Sequence, residues 1–284
     1  MGAGVSPVVR GRRLAAELRR LRAQSGRTIE EVAEHLECSA AKVSRIENGL
    51  VGVRIQDARE LLRLYGVDGE RLGELLELAR QARGRGWWLP YVDVVADGYG
   101  QVVGLEDEAS SIDRLETRLI PGLLQTKLYA EALFSAPRDV PPDVVERRVR
   151  LRVERQKILY RARPPRLNAI LDEAVLRRRV GSPAVMAHQC THLLALARRP
   201  AISLRVLPLD SETHQAVGFS FTVFGFDDPG DPKVVYEEAF HGVVLHDGAE
   251  LVGRYTAALE QARGCAMSEA ESLEFLAGLA ERPT

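Results

Sequence analysis

Residues Thr28–Gly49 read TIEEVAEHLECSAAKVSRIENG. Apolar Ile29, Val32, Ala33 and Leu36 fall at helical spacing and predict one buried stripe. Thr28 with Glu31 three residues on has the form of a capping box, which starts a helix. Ser39 caps a second helix, in which Val43 and Ile46 point inward and Asn48-Gly49 marks the end. The outer face of that second helix carries Ala40, Ala41, Lys42, Ser44 and Arg45, all small or basic. A short helix with such a face fits a DNA major groove, where Arg can grip O6 and N7 of guanine.

Working outward, residues 9–25 predict a preceding helix with Leu14, Leu18 and Leu21 inside. Arg12, Arg13, Arg19, Arg20 and Arg22 are placed around its outside, and Gly26 stops it. Gln56–Tyr65 and Glu70–Arg83 predict two further amphipathic helices. Residues 1–27 hold seven Arg against one Glu, a net of +6, although the 284-residue chain has a net charge of only -1. A local basic stripe matters more than the global balance, because phosphate contacts are local.

The chain is long enough for two domains. The boundaries expected are a helical domain at 1–83, a linker at 84–91 opened by Gly84-Arg85-Gly86, and a second domain at 92–284. In the second part, strand-like runs occur at Arg166–Leu171, Ile202–Leu207, Phe219–Phe224, Val234–Glu238 and Val243–Leu245. They alternate with helical stretches at Lys127–Phe134, Pro142–Arg161, Pro183–Arg198, Ala249–Arg263 and Ser268–Ala280. The fold expected is an all-α five-helix domain followed by an α+β domain with a mixed sheet.

The five-helix pattern resembles the lambda-repressor-like, or XRE-type, helix-turn-helix family. The resemblance covers residues 9–66 and rests on Arg10, the leucine stripe, Thr28, Val32-Ala33, Leu36, Ser39, Val43 and the run SRIENG at 44–49. It implies that Ser39, Ala40, Ala41, Lys42, Ser44 and Arg45 face the groove, with Arg45 the base reader. It implies phosphate contacts for Arg10, Arg13, Thr28, Asn48 and Arg54. It also implies a homodimer on double-stranded DNA with a near-palindromic operator. Two positions depart from the pattern. Glu37 stands in a turn that often carries Gly, and Ile29-Glu30 replaces a Gln that often contacts phosphate.

The region from residue 87 to 275 resembles an uncharacterised domain that recurs behind XRE-type helix-turn-helices in actinomycete-type regulators. The residues carrying this are Trp87-Trp88, EDEASSIDRLETRLIPGLLQTKLYAEAL at 106–133, RRVRLRVERQKIL at 147–159, Leu171–Ala174 with Arg177–Gly181, LRVLP at 204–208 and Val235–Glu237. The resemblance implies an antitoxin-like or developmental regulator with a small partner protein encoded nearby.

Taken by themselves, these residues leave alternatives open. Trp87, Trp88 and Tyr91 read either as a stacking platform for a small-molecule ligand or as packing between domains. Gln125-Thr126 reads as a helix cap or a ligand contact. Glu173 and Arg177, four apart, read as an internal ion pair or a carboxylate grip. Tyr236, Glu237 and Glu238 end a strand-like run, at a pocket rim or a solvated edge. His188, His192, His214, His241 and His246 show no metal-ligand spacing, and no Walker loop, GxSxG or GxGxxG is present. No cofactor, metal or enzyme activity is therefore expected. Cys38, Cys190 and Cys265 are scattered and read as idle thiols. No apolar run approaches the roughly 20 residues of a membrane helix, so a cytoplasmic protein without membrane contact is expected. The function expected is transcriptional regulation, repression rather than activation because occupying a promoter is the simpler act. The alternative is sequestration of a small partner, with DNA binding serving autoregulation. A third is a ligand-responsive remnant of an enzyme.

Overall fold

The computed structural model describes residues 7–49, 51–84, 86–137, 139–228, 231–239 and 242–281. Arg85 of the expected linker and His241 lie outside the described residues. The chain forms two compact units, divided between Leu89 and Pro90.

The first unit consists of α1 (Pro7–Gln24), α2 (Ile29–His35), α3 (Ala40–Glu47), α4 (Ile55–Leu64) and α5 (Gly69–Gln81). α1 starts earlier than the pattern predicts, because Pro is compatible with a first helical position whose N–H has no partner anyway. Leu14, Leu18, Val32, Val43, Ile46 and Leu61 meet in one core, with Leu21, Ile29 and Leu36 packed partly against it. Each fully buried aliphatic side chain contributes about 1.5–3 kcal/mol. One expectation for α1 fails. Arg12, expected on the outside, is only 7% exposed. It lies three residues from each of buried Val9 and Ala15, on their face of α1, and its stem packs where Gly49 leaves room: a Cβ on Gly49 would sit 3.5 Å from Arg12 Cγ. Arg22 is half-buried rather than external, for a reason given below.

The turn between α2 and α3 explains the odd Glu37. Its φ is 49°, the one positive φ of a non-glycine among the described residues. Glu37 N–H donates to Glu34 O at 3.1 Å and Cys38 N–H donates to Ala33 O at 2.9 Å. This is a Schellman ending, which needs a left-handed residue just past the helix. α4 ends identically, with Gly66 N–H donating to Arg63 O and Val67 N–H to Leu62 O. There the left-handed residue is a glycine, at φ 79°.

The second unit runs α6 (Tyr99–Glu108), β1 (Ser111–Glu116), α7 (Lys127–Phe134), α8 (Pro142–Gln156), β2 (Arg166–Asp172), α9 (Glu173–Arg177), α10 (Pro183–Ala197) and β3 (Ile202–Leu207). It continues through β4 (Phe221–Gly225), β5 (Val234–Ala239), β6 (Gly242–His246), α11 (Ala249–Cys265) and α12 (Glu269–Glu281). The strands form one mixed sheet of order β3-β2-β1-β4-β5-β6. β1 pairs in parallel with β2 and antiparallel with β4, so it is the seam between the two halves. The parallel pairs are joined through helices, as parallel strands require. Leu115, Ile170, Val223 and Val235 share one face and pack on Leu259 and Ala262 of α11.

Three sequence expectations change here. The predicted helix 142–161 stops at Gln156 and continues as a 3-10 turn over Lys157–Tyr160. The strand expected at 219–224 begins at Phe221, and Phe219 is 57% exposed. β1 was not predicted as a strand, because SIDRLE alternates charge into the middle of a sheet.

Candidate functional site: a recognition helix and an arginine-lined cavity

In α3 the exposed residues are Ser39, Ala41, Arg45 and Asn48, while Ala40, Lys42 and Ser44 are half-buried. Ser39 accepts from Lys42 N–H and caps the helix. Ala40 packs partly on the core. Lys42 Nζ lies 3.1 Å from Asp57 Oδ2 in α4, so its charge is already engaged. Arg45 makes no ion pair with a carboxylate among the described residues, and its guanidinium faces solvent. Asn48 Nδ2 donates to Ser44 O at 2.8 Å and to Ser44 Oγ at 3.3 Å, which closes the helix end. Thr28 accepts from Glu31 N–H while Glu31 Oε2 accepts from Thr28 N–H, the full capping box. Arg13 and Arg54 are exposed and Arg10 is half-buried.

Glu47, in contrast, is 3% exposed. Arg22 Nε donates to both its carboxylate oxygens, at 2.8 and 3.0 Å. The back of α3 is thereby tied to α1.

In the second unit, a cavity of about 500 Å³ lies over one sheet face. Arg114 and Glu116 of β1, Tyr236 and Glu238 of β5, and Arg152 and Arg155 of α8 line it. The pairings Arg114–Thr222 and Thr222–Tyr236 put these strand residues in one row on one face. Arg155 forms a buried two-pronged pair with Glu106 at 2.6 and 2.8 Å. Arg114 Nη2 lies 2.6 Å from Glu116 Oε2. Burial pushes the Glu116 carboxyl up, but the Arg114 charge outweighs it and holds the carboxyl below its ordinary range. Arg152 has a different environment: Nη1 donates to Gln125 Oε1 at 2.7 Å, and the guanidinium lies 4.9 Å from the centre of the Phe134 ring.

Residues 99–278 match the model of a family described as a domain of unknown function, DUF5753. The chain belongs to the DUF5753 family. Residues 13–75 match a helix-turn-helix domain, so the first unit is that of a DNA-binding regulator. Neither the curated proteins nor the solved structures give a significant match. No helix among the described residues is long and apolar enough to cross a membrane.

Within the DUF5753 domain, the structure brings together three of the residues singled out above, Gln125, Tyr236 and Glu238, at the cavity. Gln125 is 2% exposed, and Thr126 beside it caps α7 by accepting from Tyr129 N–H. Glu237, one residue from Tyr236, lies on the opposite face, as strand alternation demands. There its Oε2 accepts from Tyr255 Oη at 2.6 Å and sits 3.2 Å from His246 Nε2. Desolvation and that carboxylate push the Tyr255 hydroxyl up to about 12. Glu173 pairs with Arg177 within α9 and also accepts from Leu209 N–H at 3.2 Å, a structural role. Trp87 and Trp88 meet edge to face at 6.0 Å, with Trp87 exposed and Trp88 buried, and Tyr91 is half-buried. The cavity arginines Arg114, Arg152 and Arg155 went unnoticed in the sequence. The available signal was RRVRLRVERQKIL, where Arg148, Arg152 and Arg155 recur at helical spacing.

Proposed function

We propose that this chain is a sequence-specific transcriptional repressor in which α3 enters the major groove and Arg45 reads a base edge. The observation that carries this reading is the outer face of α3. Exposed Ser39, Ala41 and Arg45 are small or basic, Arg45 has no ion-pair partner among the described residues, and the inner face is anchored through Glu47. Ala41 offers a methyl-sized contact for thymine, and Arg10, Arg13, Thr28, Asn48 and Arg54 contact phosphates. A single such domain has a small interface, so the protein acts as a homodimer on a near-palindromic operator. The second unit shifts the dimer between states that present the recognition helices at different spacings.

Arg45→Ala is expected to reduce operator discrimination by the value of one bidentate contact, about 1–3 kcal/mol, with an unchanged melting curve. Unchanged operator affinity overturns the assignment. A footprint of one unrepeated half-site overturns the dimer.

A second reading, sequestration of a small partner protein, is favoured by apolar Leu209, Val217 and Phe219, each more than half exposed. All three stand in the connection between β3 and β4, and an exposed apolar patch in such a loop would mark an interaction surface. A stable stoichiometric complex with the product of a neighbouring gene supports it, and a monodisperse protein that captures no such product removes it.

A further inference from the structure

One buried arginine of the cavity in the second unit has no ion pair among the described residues. Arg155 and Arg114 each have a carboxylate, Glu106 and Glu116, all four side chains being 15% exposed or less. Arg152 has none among the described residues, only the neutral Gln125 oxygen and the Phe134 ring. A desolvated charge without a counter-charge is costly, and an Arg held only for packing is replaceable by an apolar side chain at no loss. Burial pushes the Arg152 guanidinium down from its ordinary value, and the Arg155 charge adds to this, against the opposing pull of Tyr99 and of the Glu106 and Glu238 carboxylates, none of which forms an ion pair with it.

The surrounding chain nevertheless makes room for that charge. A Cβ on Gly122 would lie 2.7 Å from Arg152 Nη1 and 3.0 Å from Cζ, so the turn after Pro121 leaves the space that the guanidinium fills. Gln156 Nε2 donates to Gly122 O at 2.9 Å and to Gln125 O at 2.8 Å, which fixes the turn. Gln125 Nε2 donates to Ile120 O at 2.7 Å, so its oxygen is aimed at Arg152. These contacts account for Gly122 and Gln125 in the run PGLLQT at 121–126.

We propose that this cavity binds a small organic monoanion, its carboxylate on Arg152 and its apolar body against Phe134. The volume of about 500 Å³ lies within the roughly 300–1,000 Å³ of small-molecule sites. A second hollow of about 230 Å³ shares Phe134, Arg152 and Arg155 and adds Val94 and Leu151, which accommodates an apolar body. A guanidinium matches the two oxygens of a carboxylate in one plane. A single negative charge is selected because Arg114 and Arg155 are paired, Arg118 at the rim lies 3.9 Å from the Glu116 carboxylate, and Glu238 at the wall repels a second.

This deepens the sensing role proposed above and rests on it only for its consequence, since binding is measured without DNA. The experiment is calorimetric titration of the full chain with 1-naphthoate and with its neutral isostere 1-naphthamide. Naphthoate is expected to bind one per chain, at least about tenfold more tightly than the amide, the value of one charge-assisted contact. Arg152→Gln, which keeps a hydrogen bond to Gln125, is expected to lose that preference and to melt no lower than the parent. Arg152→Lys, which keeps the charge, is expected to retain it. Equal binding of acid and amide, no naphthoate binding, an undiminished preference in R152Q, or a marked fall in the melting temperature of R152Q each overturns the proposal. If naphthoate binds as expected but leaves operator affinity unchanged, the sensing role fails and the site stands.

Discussion

Arg22 of α1 donates from Nε to both carboxylate oxygens of Glu47, at 2.8 and 3.0 Å, across 25 residues of sequence. The pair joins the basic first helix to the last turn of the recognition helix. Glu47 is almost fully buried and Arg22 still touches solvent, with side-chain exposures of 3% and 17%. Removing one partner leaves the other desolvated. Arg22→Ala is expected to cost roughly 2–4 kcal/mol, somewhat less than a fully buried pair. Arg22→Met combined with Glu47→Leu is expected to recover most of that loss, as read by urea denaturation. Additive losses in the double variant remove the coupling argument.

The left-handed Glu37 stores strain that Gly66 avoids in an equivalent helix ending. A non-glycine residue there costs about 1–2 kcal/mol, partly offset by about 0.5–1 kcal/mol of extra chain entropy that glycine must lose. Glu37→Gly is therefore expected to stabilise the first unit by about 0.5–1 kcal/mol without altering operator preference. A lower denaturation midpoint contradicts this account of the turn.

Glu17 accepts from Arg20 at 2.7 and 2.9 Å and from Arg71 at 2.7 Å. These bonds, Arg20 first, hold its carboxyl at about 2 rather than the ordinary 4.5. A depressed folded-state value means that the stabilisation is present above pH 4.5 and disappears as pH falls towards 2. Glu17→Gln is expected to lower stability at neutral pH and to flatten the acid limb of a stability–pH curve over that window. An unchanged acid limb shows that solvent screens the cluster.

Arg10, Arg13 and Arg54 are assigned to phosphates and Arg45 to a base, and salt separates the two roles. Each of Arg10→Ala, Arg13→Ala and Arg54→Ala is expected to lower the salt slope of binding by about one and to weaken all sequences alike. Arg45→Ala is expected to flatten discrimination between operator and random DNA. Fluorescence anisotropy across a salt series distinguishes these patterns, and a specificity loss at Arg54 would reverse the assignment.

Legibility followed periodicity. α7 was readable to the residue at Lys127–Phe134, and both caps around α2 and α3 were readable from Thr28, Glu31 and Ser39. Each depends on contacts within a few residues, which local sequence encodes directly. β1 was not readable, because Arg114 and Glu116 break the apolar alternation that marks a strand. They are tolerated mid-sheet because each neutralises the other. The buried position of Arg12 was hidden for a similar reason: a charged residue read on its own belongs outside.

The sequence alone therefore determined where the two helices of the helix-turn-helix begin, through their Thr28 and Ser39 caps, and that the Glu37 turn departs from its pattern. Those properties come from short-range hydrogen bonds and helical spacing. Tertiary structure alone decided that Lys42 is held by Asp57, that Arg22 clamps Glu47, and that Arg114, Arg152 and Arg155 converge on one cavity. Those contacts join residues far apart in the chain, and pairing of charges across a sheet and a helix leaves no periodic trace. Among the described residues Arg152 forms no ion pair, and this, visible only once its neighbours are assembled, distinguishes it from Arg155 in the same helix.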